Sequence, residues 1–288
     1  MLITLLRFAA RLPLSWLQGL GAAAGRAVFR LSPRYAERLR ANLAQSRVTV
    51  AGMKQSRLER QVAAEIGKGA FELIAIWFRP TDDIVRLVLD THGYELVEQA
   101  KAGGRGLLFL TPHLGSFEAA ALYVAMRMPL TVMYRPPKLA WLDPLMRAGR
   151  TRGHCQLVPT NLGGVRQILK ALKSGEAAGL LPDHVPGAGE GAWAPFFGKP
   201  AFTMTLAGRL QASTGCVVLM VFARRLPGGR GFEVTFEPVP GDLSGPEGLR
   251  RLNATLEDVI RRCPEQYLWS YNRYKVPAGV AAPEGTTP

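Results

Sequence analysis

The chain reads as an α/β protein, a single-domain αβ sandwich with a largely parallel central sheet, preceded by N-terminal membrane-associating helices. Three observations predict this. From about Gly93 onward, short apolar runs alternate with segments of helical period, the signature of strand–helix–strand units. Before that point only helical periodicity is found. Finally, no linker divides the 288 residues, which are enough to bury a sizeable core. The boundaries read as 1–31 for the N-terminal helix, 32–276 for the α/β domain, and 277–288 for a Pro/Gly/Thr-rich tail predicted to be disordered.

Met1 to Gly25 carries two charged side chains, Arg7 and Arg11. Its uncharged part, Leu12 to Gly25, is shorter than the ~20 residues that span hydrocarbon. Arg7, Arg11 and Gln18 fall near one side of a helical wheel, and Leu17, Leu20, Ala24 and Leu31 form an apolar stripe. That is the pattern of a helix lying in the membrane interface. Two other readings stay open: a secretory signal cleaved at Ala22-Ala23-Ala24, and a buried core helix. Gly19-Leu20-Gly21-Ala22-Ala23-Ala24 also matches a dinucleotide fingerprint with Glu37 downstream, but Pro13 and the helix formers before it do not supply the required strand.

Ser32-Pro33 reads as N-cap and first-turn proline of a basic helix running to about Ser46. Leu58, Val62, Ile66, Ala70, Leu73 and Trp77 then recur at helical spacing until Arg79-Pro80 stops the helix. Predicted strands are Gly106 to Leu110, Leu130 to Tyr134, Ala178 to Leu181, Cys216 to Ala223 and Gly231 to Glu237. Between and after them come helices near Phe117 to Met126, Leu139 to Gly149, Val165 to Lys173, Thr203 to Ala212 and Glu247 to Arg262. The spacing predicts a sheet that is parallel except for an antiparallel portion late in the chain.

A formal charge of +14 draws the surface toward anionic membranes, nucleic acid or acidic proteins. Arg26, Arg30, Arg34, Arg38, Arg40 and Arg47 follow directly on the apolar N-terminal segment, which selects anionic membrane lipids over nucleic acid. Cys155, Cys216 and Cys263 are odd in number and widely spaced, so neither a disulfide framework nor a Cys-x-x-Cys site is expected. With four histidines and no His-Glu-x-x-His helix, no metal or other cofactor is expected either.

The segment Thr111-Pro112-His113-Leu114-Gly115-Ser116-Phe117-Glu118 carries the chemistry. His113 lies just past a predicted strand and Glu118 falls in the first turn of the helix that Ser116 opens. An imidazole accepts a hydroxyl proton near neutral pH when a carboxylate on its other nitrogen fixes the tautomer, so His113 reads as a general base and Glu118 as its orienter. Ser116 lacks the Gly-x-Ser-x-Gly elbow and suits an N-cap, which leaves the nucleophile to the substrate's own hydroxyl. The bland alternative is a His and a Glu on one loop making a surface hydrogen bond. His113, Arg135 and Asp183 each follow a predicted strand, and ligands gather at the carboxyl ends of such strands.

With five further blocks, this segment resembles the bacterial lipid A biosynthesis acyltransferases of the lauroyl/myristoyl type, relatives of the glycerolipid acyltransferases. The blocks are Tyr134-Arg135-Pro136; Asn161-Leu162-Gly163-Gly164-Val165-Arg166; Leu181-Pro182-Asp183-His184; Pro195-Phe196-Phe197-Gly198-Lys199-Pro200-Ala201; and Pro264 to Trp269 with Tyr271 to Lys275. Glycerol-phosphate acyltransferases carry Asp where this chain has Glu118.

The resemblance implies acyl carrier protein as donor, a lipid A precursor as acceptor, and the cytoplasmic face of the bacterial inner membrane as the place of action. A glycerolipid or mannolipid acceptor is the alternative within the same chemistry, and a non-catalytic basic membrane or nucleic-acid binding protein is the alternative outside it. Arg135 and Arg166 are the predicted phosphate-binding cations, the resemblance favouring Arg166, against the reading of solvated surface arginines. Asp183 is expected to organise the site or to form an ordinary Asx-turn. Lys199 would meet a phosphate, and Phe196 and Phe197 an acyl chain or the membrane, unless they are core. Tyr267, Trp269, Tyr271 and Tyr274 suit either base stacking or an alternating strand.

Overall fold

The chain opens in helices because its first residues carry the 3.6-residue apolar period, with prolines placed where helices begin or end. The computed structural model describes residues 2–137 and 139–283. Its first elements are α1 (Leu2–Ala9), α2 (Leu14–Leu31), α3 (Pro33–Ser46) and α4 (Gln55–Phe78). Pro33 occupies the first turn of α3, and α4 stops as Arg79 turns extended ahead of Pro80. There follow α5 (Thr81–Arg86), β1 (Val88–His92), α6 (Tyr94–Ala102), β2 (Leu107–Leu110), α7 (Phe117–Ala125) and β3 (Leu130–Tyr134). Next are α8 (Asp143–Arg150), β4 (Cys155–Pro159), α9 (Leu162–Lys173), β5 (Ala177–Leu180), β6 (Gly191–Phe196) and β7 (Lys199–Met204). The last are α10 (Leu206–Thr214), β8 (Val217–Arg225), β9 (Phe232–Pro238) and α11 (Gly245–Arg262).

Among the described residues, seven strands form one sheet in the order β1-β9-β8-β2-β5-β3-β4, and β6 pairs with β7 in a separate antiparallel hairpin. Neighbours are parallel except β8 and β9. The mixed, mostly parallel α/β sheet expected from the alternation of elements is therefore present. Helices cover both faces, so the central strands bury both sides. Leu108 and Leu110 of β2 join Val218, Met220 and Phe222 of β8 in one core, while Leu107, Phe109, Leu219 and Val221 join the other.

Several elements differ from the sequence expectation. The edge strands β1 and β4 were not predicted, because half of their residues face solvent and neither makes a continuous apolar run. Residues 191–204 form the β6–β7 hairpin, which takes in Thr203, predicted as helical, and tucks Phe196 and Phe197 into the core. Of the alternatives for these two rings, the structure shows the core position. Tyr267 to Tyr271 makes a single bridge, Tyr267 with Leu114, instead of a strand, and Tyr267 and Trp269 are buried. Of the predicted disordered tail, residues 277–283 are described and Ala281 accepts a hydrogen bond from Trp193 Nε1 at 3.0 Å; residues 284–288 lie outside the described residues.

The N-terminal reading changes most. Ala10 to Pro13 breaks the helix, so Arg7, Arg11 and Gln18 do not share one wheel, and Gln18 is buried. Leu14, Leu17, Gln18, Gly21, Ala22, Gly25 and Phe29 form the buried face of α2. That face packs on α4 with the two backbones touching: a Cβ on Gly21 would stand 2.4 Å from the carbonyl oxygen of Gly67, and one on Gly67 2.0 Å from that of Gly21. Trp16, Leu20, Val28 and Leu31 remain exposed on the other side, with Arg26 and Arg30. No helix of the described residues is long and apolar enough to cross a membrane.

Candidate active site

His113 belongs to the β2–α7 connection and Asp183 follows β5. Because β2 and β5 are parallel neighbours, these two loops leave the sheet side by side. Asp183 Oδ1 lies 2.9 Å from His113 Nδ1, and its Oδ2 accepts the His113 backbone N–H at 2.9 Å. Burial alone would raise the Asp183 carboxyl, but the His113 charge and these hydrogen bonds outweigh it and hold it down to about 2. With Nδ1 committed, no described residue bonds Nε2 of the ring. His184 stacks on it at 4.2 Å between centroids and Phe117 meets it edge-on at 5.1 Å. Desolvation in this stack, and then the His113 charge, lower the His184 imidazole to about 4.

The loop that carries His113 is clamped between β8 and the segment after α11. Gly115 has φ +58°, and a Cβ there would stand 2.0 Å from the carbonyl oxygen of Ala223, so the position needs glycine on both counts. Its N–H donates to Gln266 O at 3.1 Å, the Ser116 N–H to Ala223 O at 2.7 Å, and the Leu268 N–H to His113 O at 3.1 Å. Ser116 takes the N-cap position of α7 as predicted, although its hydroxyl makes no capping bond and is buried without a partner among the described residues.

The pairing expected between His113 and Glu118 is not the one formed. Glu118, buried in the first turn of α7, points to α8: its Oε1 accepts from Arg150 Nε at 2.8 Å and from Arg150 Nη2, and its Oε2 from Trp77 Nε1 at 3.4 Å. The carboxylate on the imidazole is that of Asp183. Arg135 and Arg166 are exposed and make no ion pair or hydrogen bond among the described residues, and Lys199 lies over the Tyr274 ring at 5.2 Å. None of the three lines the cavities next to His113.

Two cavities meet at the start of α7. One lies between α4 and the His113 loop, lined by His113, Gly115, Ile66, Ala70 and Leu73, with Glu72 and Arg225 also bordering it. The other, apolar in its lining, lies between α7 and the sheet, where Ala121, Leu122, Val132, Leu157, Gly179 and Leu180 face it. Phe117 and Glu118 wall both, and Arg150 borders the apolar one. A three-residue group with metal-ligand atoms, the exposed Asp90 and His92 of β1 and the half-buried Glu233 of β9, lies at the sheet edge, where Arg224 already holds Glu233.

The sequence model of a family described as bacterial lipid A biosynthesis acyltransferase matches residues 1–276. The chain belongs to that family. Among similar proteins, the lipid A biosynthesis lauroyltransferase of Escherichia coli (strain K12) is 27% identical over 285 residues, 96% of this chain and 92% of the relative. The palmitoleoyltransferase of the same organism is 29% identical over 73% of this chain and 69% of its own, and the myristoyltransferase 24% identical over 63% and 57%. Acyl transfer in lipid A biosynthesis is thus the reaction class of this family member, and the resemblance drawn from the six sequence blocks holds.

Sequence reasoning missed Arg150, Trp77, Arg225 and the two buried carboxylates of α4, Glu65 and Glu72. One signal was present: Glu65 and Glu72 stand seven residues apart, two turns along one face of α4, and both are buried, where an unpaired charge is not tolerated.

Proposed function

We propose that this protein transfers a fatty acyl group from the thioester of acyl carrier protein to a hydroxyl of a lipid A precursor, with His113 as general base. The observation that supports it best is the His113–Asp183 pair: Nδ1 is bound to a buried carboxylate, and the ring borders a cavity that adjoins an apolar one. Nε2 takes the proton of the acceptor hydroxyl as its oxygen attacks the thioester carbonyl. The tetrahedral intermediate collapses, the carbon–sulfur bond breaks, and the imidazolium returns its proton to the thiolate. Asp183 stays ionised throughout and stabilises the imidazolium.

In this reading the acyl chain lies in the apolar cavity, with the Glu118–Arg150 pair at its polar border. Arg135 and Arg166 follow β3 and β4 at the carboxyl edge of the sheet, and their unpaired forks suit phosphates of carrier or precursor. The acidic carrier complements the +14 surface. The exposed Ile3, Leu5 and Phe8 of α1 and Trp16, Leu20, Val28 and Leu31 of α2, interspersed with arginines, suit peripheral attachment to anionic lipids at the cytoplasmic face of the inner membrane. Replacing His113 by Ala should lower carrier-dependent turnover about 100-fold or more while the circular dichroism spectrum remains that of the folded protein. A variant keeping more than about a tenth of the wild-type rate would refute the base assignment.

A further inference from the structure

The buried guanidinium of Arg225 closes a chain of hydrogen bonds that begins in the first long helix and ends one residue pair from His113. Gln18 of α2 donates to Glu72 Oε2 at 3.1 Å. Glu72 of α4 accepts from Arg225 twice, from Nε at 2.8 Å and from Nη2 at 2.9 Å. The same Nη2 donates to the carbonyl oxygen of Gly115 at 2.7 Å. Glu65, held by Lys68 at 2.5 Å, brings a second carboxylate to 3.6 Å from Arg225 Nη1. The backbone of Arg225 exchanges two hydrogen bonds with the Gln266 side chain, and Gln266 O accepts the Gly115 N–H at 3.1 Å.

Gly115 is thus gripped at both ends of its residue, its carbonyl by Arg225 and its N–H by Gln266. Arg225, Glu72 and Gln18 are each less than a tenth exposed, and Arg225 and Glu72 border the cavity beside His113. A buried ion pair adds little net stability over a packed apolar pair, and its best-attested use is to fix one geometry. What this one fixes is the loop that sets the angle of the His113 ring between Asp183 and the cavity.

We infer that Arg225 is a positioning residue for His113 and that Glu72 and Gln18 make the N-terminal helix pair part of the catalytic support rather than an anchor alone. The inference rests on the reading of His113 as the base. Catalytic geometry tolerates displacements well under an ångström, so release of the Gly115 carbonyl lowers turnover by moving the His113 loop.

The test replaces the pair together, Arg225→Met with Glu72→Met, which leaves no uncompensated charge, and in parallel makes Arg225→Lys, whose single ammonium cannot serve both Glu72 and Gly115 with a fork. Both are assayed beside His113→Ala, with circular dichroism melts and with each substrate varied. The expected result is a folded Arg225→Lys and a folded double variant whose kcat is down about tenfold or more, with KM for both substrates within about twofold. Wild-type kcat in a folded Arg225→Lys, or a loss carried by KM alone, overturns the inference even if the double variant does not fold. High activity in His113→Ala sinks the underlying base reading instead, whatever Arg225 does.

Discussion

Asp183 holds His113 at two points, the ring Nδ1 and the backbone N–H, each at 2.9 Å. One carboxylate therefore sets both the tautomer of the imidazole and the position of its backbone. Asp183→Asn should lower turnover by about 100-fold to 10,000-fold, because an amide at Oδ1 or Oδ2 forfeits either the correct tautomer or the backbone anchor. Steady-state rates measured with saturating donor and acceptor check this; a loss smaller than about tenfold would return the orienting role to another group.

Glu118 and Arg150 should behave as a coupled structural pair. Glu118→Gln leaves the Arg150 guanidinium bordering an apolar cavity with half its partner gone, so the fold should lose on the order of 1–3 kcal/mol. Arg150→Met alone should cost a similar amount, and the double variant less than the sum, with a coupling energy of about 1 kcal/mol or more. Urea denaturation of the four proteins measures it, and additive losses would show that the two side chains do not depend on each other.

His184 predicts a pH dependence of stability. The unfolded chain binds its imidazole proton near 6.5 and the folded chain only near 4, so between these values the unfolded state holds more protons and stability falls as pH falls. The solvent-exposed edge of His184 keeps that slope shallow. Asp183 acts lower: its contribution is complete above about 3.8 and is lost as pH drops toward about 2. Melting temperatures recorded from pH 7 to pH 4.5 should decline less in His184→Gln than in the wild type. Parallel curves for the two proteins would contradict the assignment.

Gly179 offers a direct probe of the apolar cavity. It lies in β5, lines that cavity, and a Cβ there would meet Val132 Cγ2 at 3.4 Å, an ordinary contact. Gly179→Val should therefore fold and shorten the space for an acyl chain. Rates with a series of acyl carrier protein thioesters should show the optimum moved to shorter chains, with about a tenfold loss for the longest. An unchanged chain-length profile would place the acyl chain elsewhere.

Much of this protein is decided by local patterns. The strands β2, β3, β5 and β8 were legible because mostly apolar residues form continuous runs, β9 because apolar and polar residues alternate along it, and the helices because their apolar period is 3.6. His113, its strand-end position and the family blocks could all be read from residue order alone. The partner of His113 could not. Glu118 is five residues away and Asp183 seventy, yet the strand order places β5 directly beside β2, so the distant carboxylate reaches the ring while the near one turns to Arg150. The same holds for Gln18, whose polar side chain suggested a wet helix face until the Gly21–Gly67 seam put it beside Glu72. Periodicity along a chain reports which residues are buried, whereas the choice of partner depends on which loops and faces the sheet order and helix packing bring together, and that is a property of the tertiary structure.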